Sequence, residues 1–247
     1  MTHLPPFAQA ALLLDLDGTL LDLAPTPDAV VVEPGLREAL RTLRERMGGA
    51  LAVVTGRPVE TIDALLGDSP YAVAGEHGGA VRHAPGAPLE RPDLPAVPDA
   101  WRVAAAALAA AWPDTILEPK VRGFALHFRL NPAAGPVFRD RLADLMAGDP
   151  RFDLLAGHMM WEVRPHGADK GRAVTLLMER PPFTGRLPLF IGDDVTDEDG
   201  MRVARTLGGG GLRVDAAFGS PAGVRAWLRD TVAAGGWAPL PGPLACA

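Results

Sequence analysis

Three apolar runs in this chain, Ala11 to Leu14 ending on Asp15, Ala50 to Val54, and Leu187 to Ile191, contain no polar side chain and are too short for helices. Such runs, without alternation, suit strands buried on both faces, as parallel sheets require. Helical spacing follows each of the first two. Glu33-Pro34-Gly35 opens a segment in which Leu36, Ala39, Leu40, Leu43 and Met47 recur on one face until Gly48-Gly49, and Val59, Ile62, Leu65 and Leu66 repeat the pattern. Strand, helix, strand, helix predicts a parallel α/β sheet.

The alternation then changes. Five prolines, at positions 85, 88, 92, 95 and 98, predict a stiff extended linker between His83 and Asp99. After it come an Ala-rich helix over Asp99 to Trp112, strand-like runs at Thr115 to Glu118 and Phe124 to Leu130, a helix around Pro136 to Met146, and strands at Phe152 to Leu155 and Met159 to Val163. This reads as an α+β unit with its own core. Past Arg164-Pro-His-Gly-Ala-Asp169 the first pattern returns: a helix from Lys170 to about Met178, the third apolar run, a helix from Thr196, a short strand Leu212 to Val214 and a last helix from Ala222 to Ala233. The expected division is residues 1–84 and 168–247 as a parallel core, with residues 85–167 as an inserted cap and a loose Gly/Pro tail.

Composition narrows the function classes. With 48% apolar and 22% charged residues the chain can bury a sizeable core, and 24 basic against 30 acidic residues, net −6, argue against nucleic acid or an anionic membrane as partner. A small-molecule substrate is expected; the oligomeric state is not readable. The one cysteine, Cys246, excludes an internal disulfide and a cysteine-based metal site and points to a reducing cytoplasm. No signal peptide or membrane anchor is expected, because the stretch Ala8 to Leu14 stops at Asp15 and no basic segment precedes it.

Ligands of open parallel sheets sit at the carboxyl ends of strands, and two such ends here carry acids. Asp15-Leu16-Asp17-Gly18-Thr19 closes the first run and Gly192-Asp193-Asp194-Val195-Thr196-Asp197 the third. Each alone could be a turn or a helix cap; both in this order arise by chance about once in 10⁵ sequences of this composition. Two converging carboxylate clusters need a cation between them, and oxygen-only ligands favour Mg²⁺ over zinc. Its remaining ligands would be water and phosphate oxygens. Groups for that phosphate are Lys170, the Thr55 hydroxyl and Arg57 near the same strand ends. The basic residues are 22 arginines and only Lys120 and Lys170. A surface charge in this chain would be Arg, so the lysines stand out.

Taken together, Asp15-x-Asp17-Gly-Thr, Thr55-Gly-Arg57, Lys170 and Gly-Asp193-Asp194 resemble the four motifs of the haloacid dehalogenase superfamily. Glu118-x-Lys120, His127-Phe-Arg129, Glu162-Val-Arg-Pro165 and Gly-Asp-Asp-x-Thr-Asp-Glu-Asp199 resemble the trehalose-6-phosphate phosphatase family within it, as does the loop Gly75-Glu76-His77-Gly78. Gly200-Met201 departs from that pattern.

The resemblance implies an α/β fold with a Rossmann-like parallel-sheet hydrolase core and an inserted α+β cap domain, acting as a Mg²⁺-dependent phosphatase of trehalose 6-phosphate through an aspartyl-phosphate intermediate. It implies Asp15 as nucleophile and Asp17 as acid/base, with Lys170 and Thr55 on the phosphate oxygens. Metal ligation falls to Asp15, the Asp17 carbonyl and Asp193, with Asp194 holding a ligand water. Arg57, Glu118, Lys120 and Glu162 are implied to bind substrate, the last three through sugar hydroxyls. For His127 and Arg129, which alternate with apolar neighbours, a role in the cap fold and one in substrate binding both stay open, and His83, His158 and His166 are read as solvated. Other sugar phosphates, such as sucrose 6-phosphate or mannosyl-3-phosphoglycerate, and a noncatalytic sensor are the alternatives; a sensor should have lost a nucleophile, acid or metal ligand, and none is missing.

Overall fold

A computed structural model describes residues 4–242; Cys246 and the end of the Gly/Pro tail lie outside the described residues. In chain order the elements are β1 (Ala10–Leu14), α1 (Leu36–Arg46), β2 (Leu51–Val54), α2 (Val59–Leu66), β3 (Ala72–Gly75), β4 (Ala80–Arg82), α3 (Asp99–Ala111), β5 (Ile116–Pro119) and β6 (Phe124–His127). They continue with α4 (Ala134–Met146), β7 (Phe152–Gly157), β8 (Met160–Pro165), α5 (Lys170–Met178), β9 (Leu187–Gly192), α6 (Val195–Thr206), β10 (Gly210–Arg213), α7 (Val214–Ala217) and α8 (Pro221–Ala234). Two compact units result. Among the described residues, one holds residues 4–24, Asp28–Arg91 and residues 169–242; the other holds Pro25–Pro27 and Pro92–Ala168.

The first unit is built on a sheet of order β10-β9-β1-β2-β3-β4, parallel except for β4, which returns antiparallel on β3. Its strands read as continuous apolar runs because both faces are covered. Period-two alternation sorts the side chains: Leu12, Leu14, Leu51, Val53, Leu189 and Ile191 share one core with Leu40, Ile62 and Trp227 of α1, α2 and α8. Ala11, Leu13, Ala52, Val54 and Phe190 face the other way, onto Val174 and Leu177 of α5 and Met201 of α6. From β1 the chain winds through α1 to β2 on one side, while β9 pairs with β1 on the other. The winding therefore reverses between β1 and β9, where such sheets open a ligand crevice.

The second unit is an antiparallel sheet, β5-β6-β8-β7. Phe124, Leu126 and Val163 from one face pack with Phe138 and Leu142 of α4 and Ala105 of α3. The register Glu118↔Ala125↔Glu162↔Leu155 and Ile116↔His127↔Met160↔Gly157 puts Glu118, His127 and Glu162 together on the opposite face. No helix among the described residues is long and apolar enough to cross a membrane.

Several boundaries differ from the sequence reading for physical reasons. The core unit runs on to Arg91 rather than ending near residue 84, because Glu90 and Val81 exchange two backbone hydrogen bonds of 2.8 Å. The strand expected from Phe124 to Leu130 stops at His127, where Phe128 accepts from the Asn131 amide in a turn. The strand expected at Leu212 to Val214 lies at Gly210–Arg213, and Val214 opens the short α7. There the Asp215 carboxylate accepts from the Ala216 amide at 2.9 Å and turns the chain.

Candidate active site

Register brings the two acidic motifs together. Leu14 on β1 lies beside Ile191 on β9, and the Asp15 amide donates to the Ile191 carbonyl at 2.9 Å. Both chains then leave the sheet with their carboxylates at the same end. Asp15, Asp193 and Asp197 offer oxygens that all lie within 4.8 Å of one another, an oxygen-only set suited to a hard divalent cation. Gly18 permits the approach: it sits at φ +75°, and a Cβ there would come within 2.1 Å of Asp193 Oδ2.

Lys170 stands at the first turn of α5, whose N-cap Asp169 accepts from the Arg172 amide at 2.8 Å. Its ammonium donates to Asp15 Oδ1 and to Asp197 Oδ1, each at 2.6 Å, and all three side chains are buried. Burial works against its charge, but Asp15 and Asp197 outweigh it and hold Lys170 protonated, above the usual lysine range. Burial pushes the Asp15 carboxyl well up, and Asp197 adds to that while Lys170 opposes it. Burial also raises Asp193, against a hydrogen bond from the Thr19 hydroxyl to its Oδ1 at 2.9 Å. A cation among these acids would relieve the same repulsion.

Asp197 and Thr19 carry no role in the sequence analysis, yet the structure brings both to the site. Asp194 is the N-cap of α6, and Asp197, three residues on, returns Oδ2 to the amides of Asp193 and Asp194 at 3.0 and 2.9 Å. The signal was an Asp-x-x-Asp spacing at a helix start, an acidic version of the capping box. Asp194 lies outside the carboxylate cluster, its Oδ1 taken by the Val195 amide at 2.7 Å. Arg213 fixes the loop further by donating to the Asp193 carbonyl at 2.6 Å.

Asp17 and Arg57 meet directly, with Arg57 Nε on Oδ2 at 2.6 Å and Nη2 on Oδ1 at 2.7 Å. Thr55, buried at the end of β2, accepts from the Arg57 amide at 3.3 Å. The next loop holds Glu76 and His77 at φ 52° and 55°, a strained turn beside Thr55, whose carbonyl accepts the His77 amide at 2.9 Å.

In the antiparallel unit the Lys120 ammonium and Glu162 Oε2 are 2.7 Å apart and buried. Glu118 Oε2 pairs with His127 Nε2 at 2.8 Å. Burial works against the Glu118 charge, but the His127 hydrogen bond and the Lys120 charge prevail and lower its pKa. His127 thus positions Glu118. Arg129 donates to the His158 carbonyl at 3.4 Å. His158 and His166 are exposed, but His83, read as solvated, is largely buried beside Glu90 at 3.6 Å, and burial lowers its pKa.

The parallel sheet with its switch point, the paired acidic loops and the buried lysine define a phosphoric monoester hydrolase of the haloacid dehalogenase type. Residues 13–224 match the trehalose-phosphatase family. A probable trehalose-phosphate phosphatase of Sinorhizobium fredii is 40% identical over 206 residues, 83% of this chain and 77% of that protein. The trehalose-6-phosphate phosphatase of Escherichia coli is 35% identical over 211 residues, 84% of this chain and 78% of that one. In structure, the C-terminal domain of the Candida albicans trehalose-6-phosphate phosphatase superposes with a TM-score of 0.75 at 19% identity, covering 92% of this chain and 93% of that one. The chain belongs to the trehalose-phosphatase family.

Proposed function

We propose that this enzyme hydrolyses trehalose 6-phosphate to trehalose and phosphate, in the cytoplasm, with Mg²⁺ as its metal. The observation that carries the reading is the Lys170 ammonium held between Asp15 and Asp197 beside Asp193. A phosphate monoester resists hydrolysis, so a site must supply both a nucleophile and neutralisation of charge. A buried carboxylate at a strand end, with a fixed cation beside it, supplies the first and part of the second.

Mg²⁺ fits the donor set, and Asp15, the Asp17 carbonyl and Asp193 would hold it. Asp197 already has one oxygen on Lys170 and the other on two amides, so its part is to orient the lysine and the loop. Asp194, whose carboxylate caps α6, would hold a water of the metal. When bound, the metal neutralises phosphate charge and lets Asp15 approach the phosphorus.

Asp15 then attacks in line, forming an aspartyl-phosphate as the bond from phosphorus to the sugar oxygen breaks. Asp17 gives its proton to that oxygen and afterwards takes one from the water that cleaves the intermediate, which frees phosphate and Asp15. Lys170 and the Thr55 hydroxyl bind the equatorial oxygens. For Asp17 to carry that proton its pair with Arg57 must open, and on this reading the Arg57 guanidinium turns from Asp17 to the substrate when it binds. Glu118, Lys120 and Glu162 bind sugar hydroxyls as acceptors and donor. Phosphate release from trehalose 6-phosphate, sucrose 6-phosphate, mannosyl-3-phosphoglycerate and p-nitrophenyl phosphate, each with and without Mg²⁺, tests the reading. Preference for trehalose 6-phosphate that disappears with chelator is expected; faster turnover of another sugar phosphate would replace the substrate.

A further inference from the structure

Arg164 lies on β8 two residues beyond Glu162, so strand alternation puts it on the same face as Glu118, His127 and Glu162. It is 8% exposed, and among the described residues its Nε and Nη1 find no acceptor. Each neighbouring carboxylate is already engaged. Glu162 pairs with Lys120, Glu118 with His127, and Asp153, the register partner of Arg164 on β7, has Oδ1 on His166 Nδ1 at 3.1 Å. A guanidinium taken out of water without a counter-charge opposes folding, and proteins rarely keep one unless a ligand completes it.

Resting on the sugar-phosphate reading above, we propose that Arg164 is a substrate-binding residue whose Nε and Nη1 donate to oxygen acceptors of the phosphorylated sugar. The division of labour on this face follows from chemistry. Carboxylates of Glu118 and Glu162 accept from hydroxyl protons, whereas a sugar oxygen acting as acceptor needs a donor, and a planar guanidinium supplies two in fixed geometry. A small aryl phosphate lacks those oxygens and gains nothing from Arg164.

The test sets substrate recognition against fold stability. Arg164→Met keeps an unbranched apolar stem and removes the buried charge. The melting temperature of the unliganded variant should therefore stay level or rise, while KM for trehalose 6-phosphate rises by about tenfold or more and kcat/KM for p-nitrophenyl phosphate stays within about threefold. Arg164→Lys, with one donor centre, should fall between. A lower melting temperature for Arg164→Met would show that the guanidinium supports the fold. Equal losses on both esters, or an unchanged KM for the sugar phosphate, would also overturn the assignment. A wild-type enzyme that ignores trehalose 6-phosphate would sink the substrate reading instead; the comparison would then be run on whichever sugar phosphate it does hydrolyse.

Discussion

Arg57 grips both carboxylate oxygens of Asp17, Nε on Oδ2 at 2.6 Å and Nη2 on Oδ1 at 2.7 Å. The proposed acid/base and a proposed substrate ligand are thus held as one unit. Asp17→Asn should slow hydrolysis of trehalose 6-phosphate by ~10² to 10⁴, the usual cost of losing a positioned acid. Nitrophenolate leaves without protonation, so the same variant should release one equivalent of it rapidly from p-nitrophenyl phosphate and then stall, because the second half-reaction still needs a base. Stopped-flow absorbance reads this directly, and absence of the burst would remove Asp17 from the acid role alone.

Lys170 separates two acids that would otherwise face each other in a buried site. Lys170→Met should abolish turnover of every phosphate ester and lower the stability of the metal-free protein by about 3–5 kcal/mol, the range for breaking a buried ion pair. Mg²⁺ should recover part of that loss. Urea unfolding with and without the metal checks both statements; equal destabilisation in the two conditions would place the metal elsewhere.

Gly18→Ala tests the geometry of the metal site without replacing a proposed ligand. The left-handed backbone costs about 1–2 kcal/mol for a residue with a Cβ. That Cβ would overlap the Asp193 carboxylate. Calorimetric titration should show Mg²⁺ affinity reduced by roughly tenfold or more, by analogy with other displaced ligand shells. Unaltered affinity in a folded variant would mean that Asp193 is not a ligand.

Lys120→Arg should lower kcat/KM for trehalose 6-phosphate by ~1.5–3 kcal/mol, as for a disrupted charged hydrogen bond, and spare p-nitrophenyl phosphate. The pair with Glu162 is tight and buried at 2.7 Å, and a planar guanidinium cannot reproduce the geometry of a compact ammonium there. Matching losses on both esters would assign Lys120 to the fold of the antiparallel unit.

Glu118 carries a pH dependence. Its pKa is lowered in the folded protein, with the His127 hydrogen bond and the Lys120 charge overcoming burial. The unfolded chain therefore takes up this proton first as pH falls, so the stability that Glu118 contributes is complete above its ordinary value of 4.5 and is lost below it, as pH falls through the lower folded value. Melting temperatures of wild type and Glu118→Gln, compared from pH 6 downward, should converge on the acid side. A gap that stayed constant with pH would show that the charge of Glu118 contributes nothing.

Local sequence determined much of this protein. Unbroken apolar runs ending in Asp15 and in Gly192-Asp193-Asp194 announced buried parallel strands with acids at their carboxyl ends, since only a strand covered on both faces tolerates such a run. The five prolines from 85 to 98, and the strand and helix runs after them, announced a second α+β unit; that its sheet is antiparallel came only with the structure. Scarcity of lysine drew attention to Lys120 and Lys170, and both are buried in ion pairs. What the sequence could not state were relations between residues far apart in the chain. Asp197 binding Lys170, Thr19 orienting Asp193, Arg57 closing on Asp17, and Nε and Nη1 of Arg164 finding no acceptor among the described residues all depend on which strand lies next to which and on the rotation of each side chain. Spacing along a chain fixes the face on which a residue lies, because a strand or helix has one period; the partner on that face is chosen by sheet register and packing, which arise only when the whole core closes.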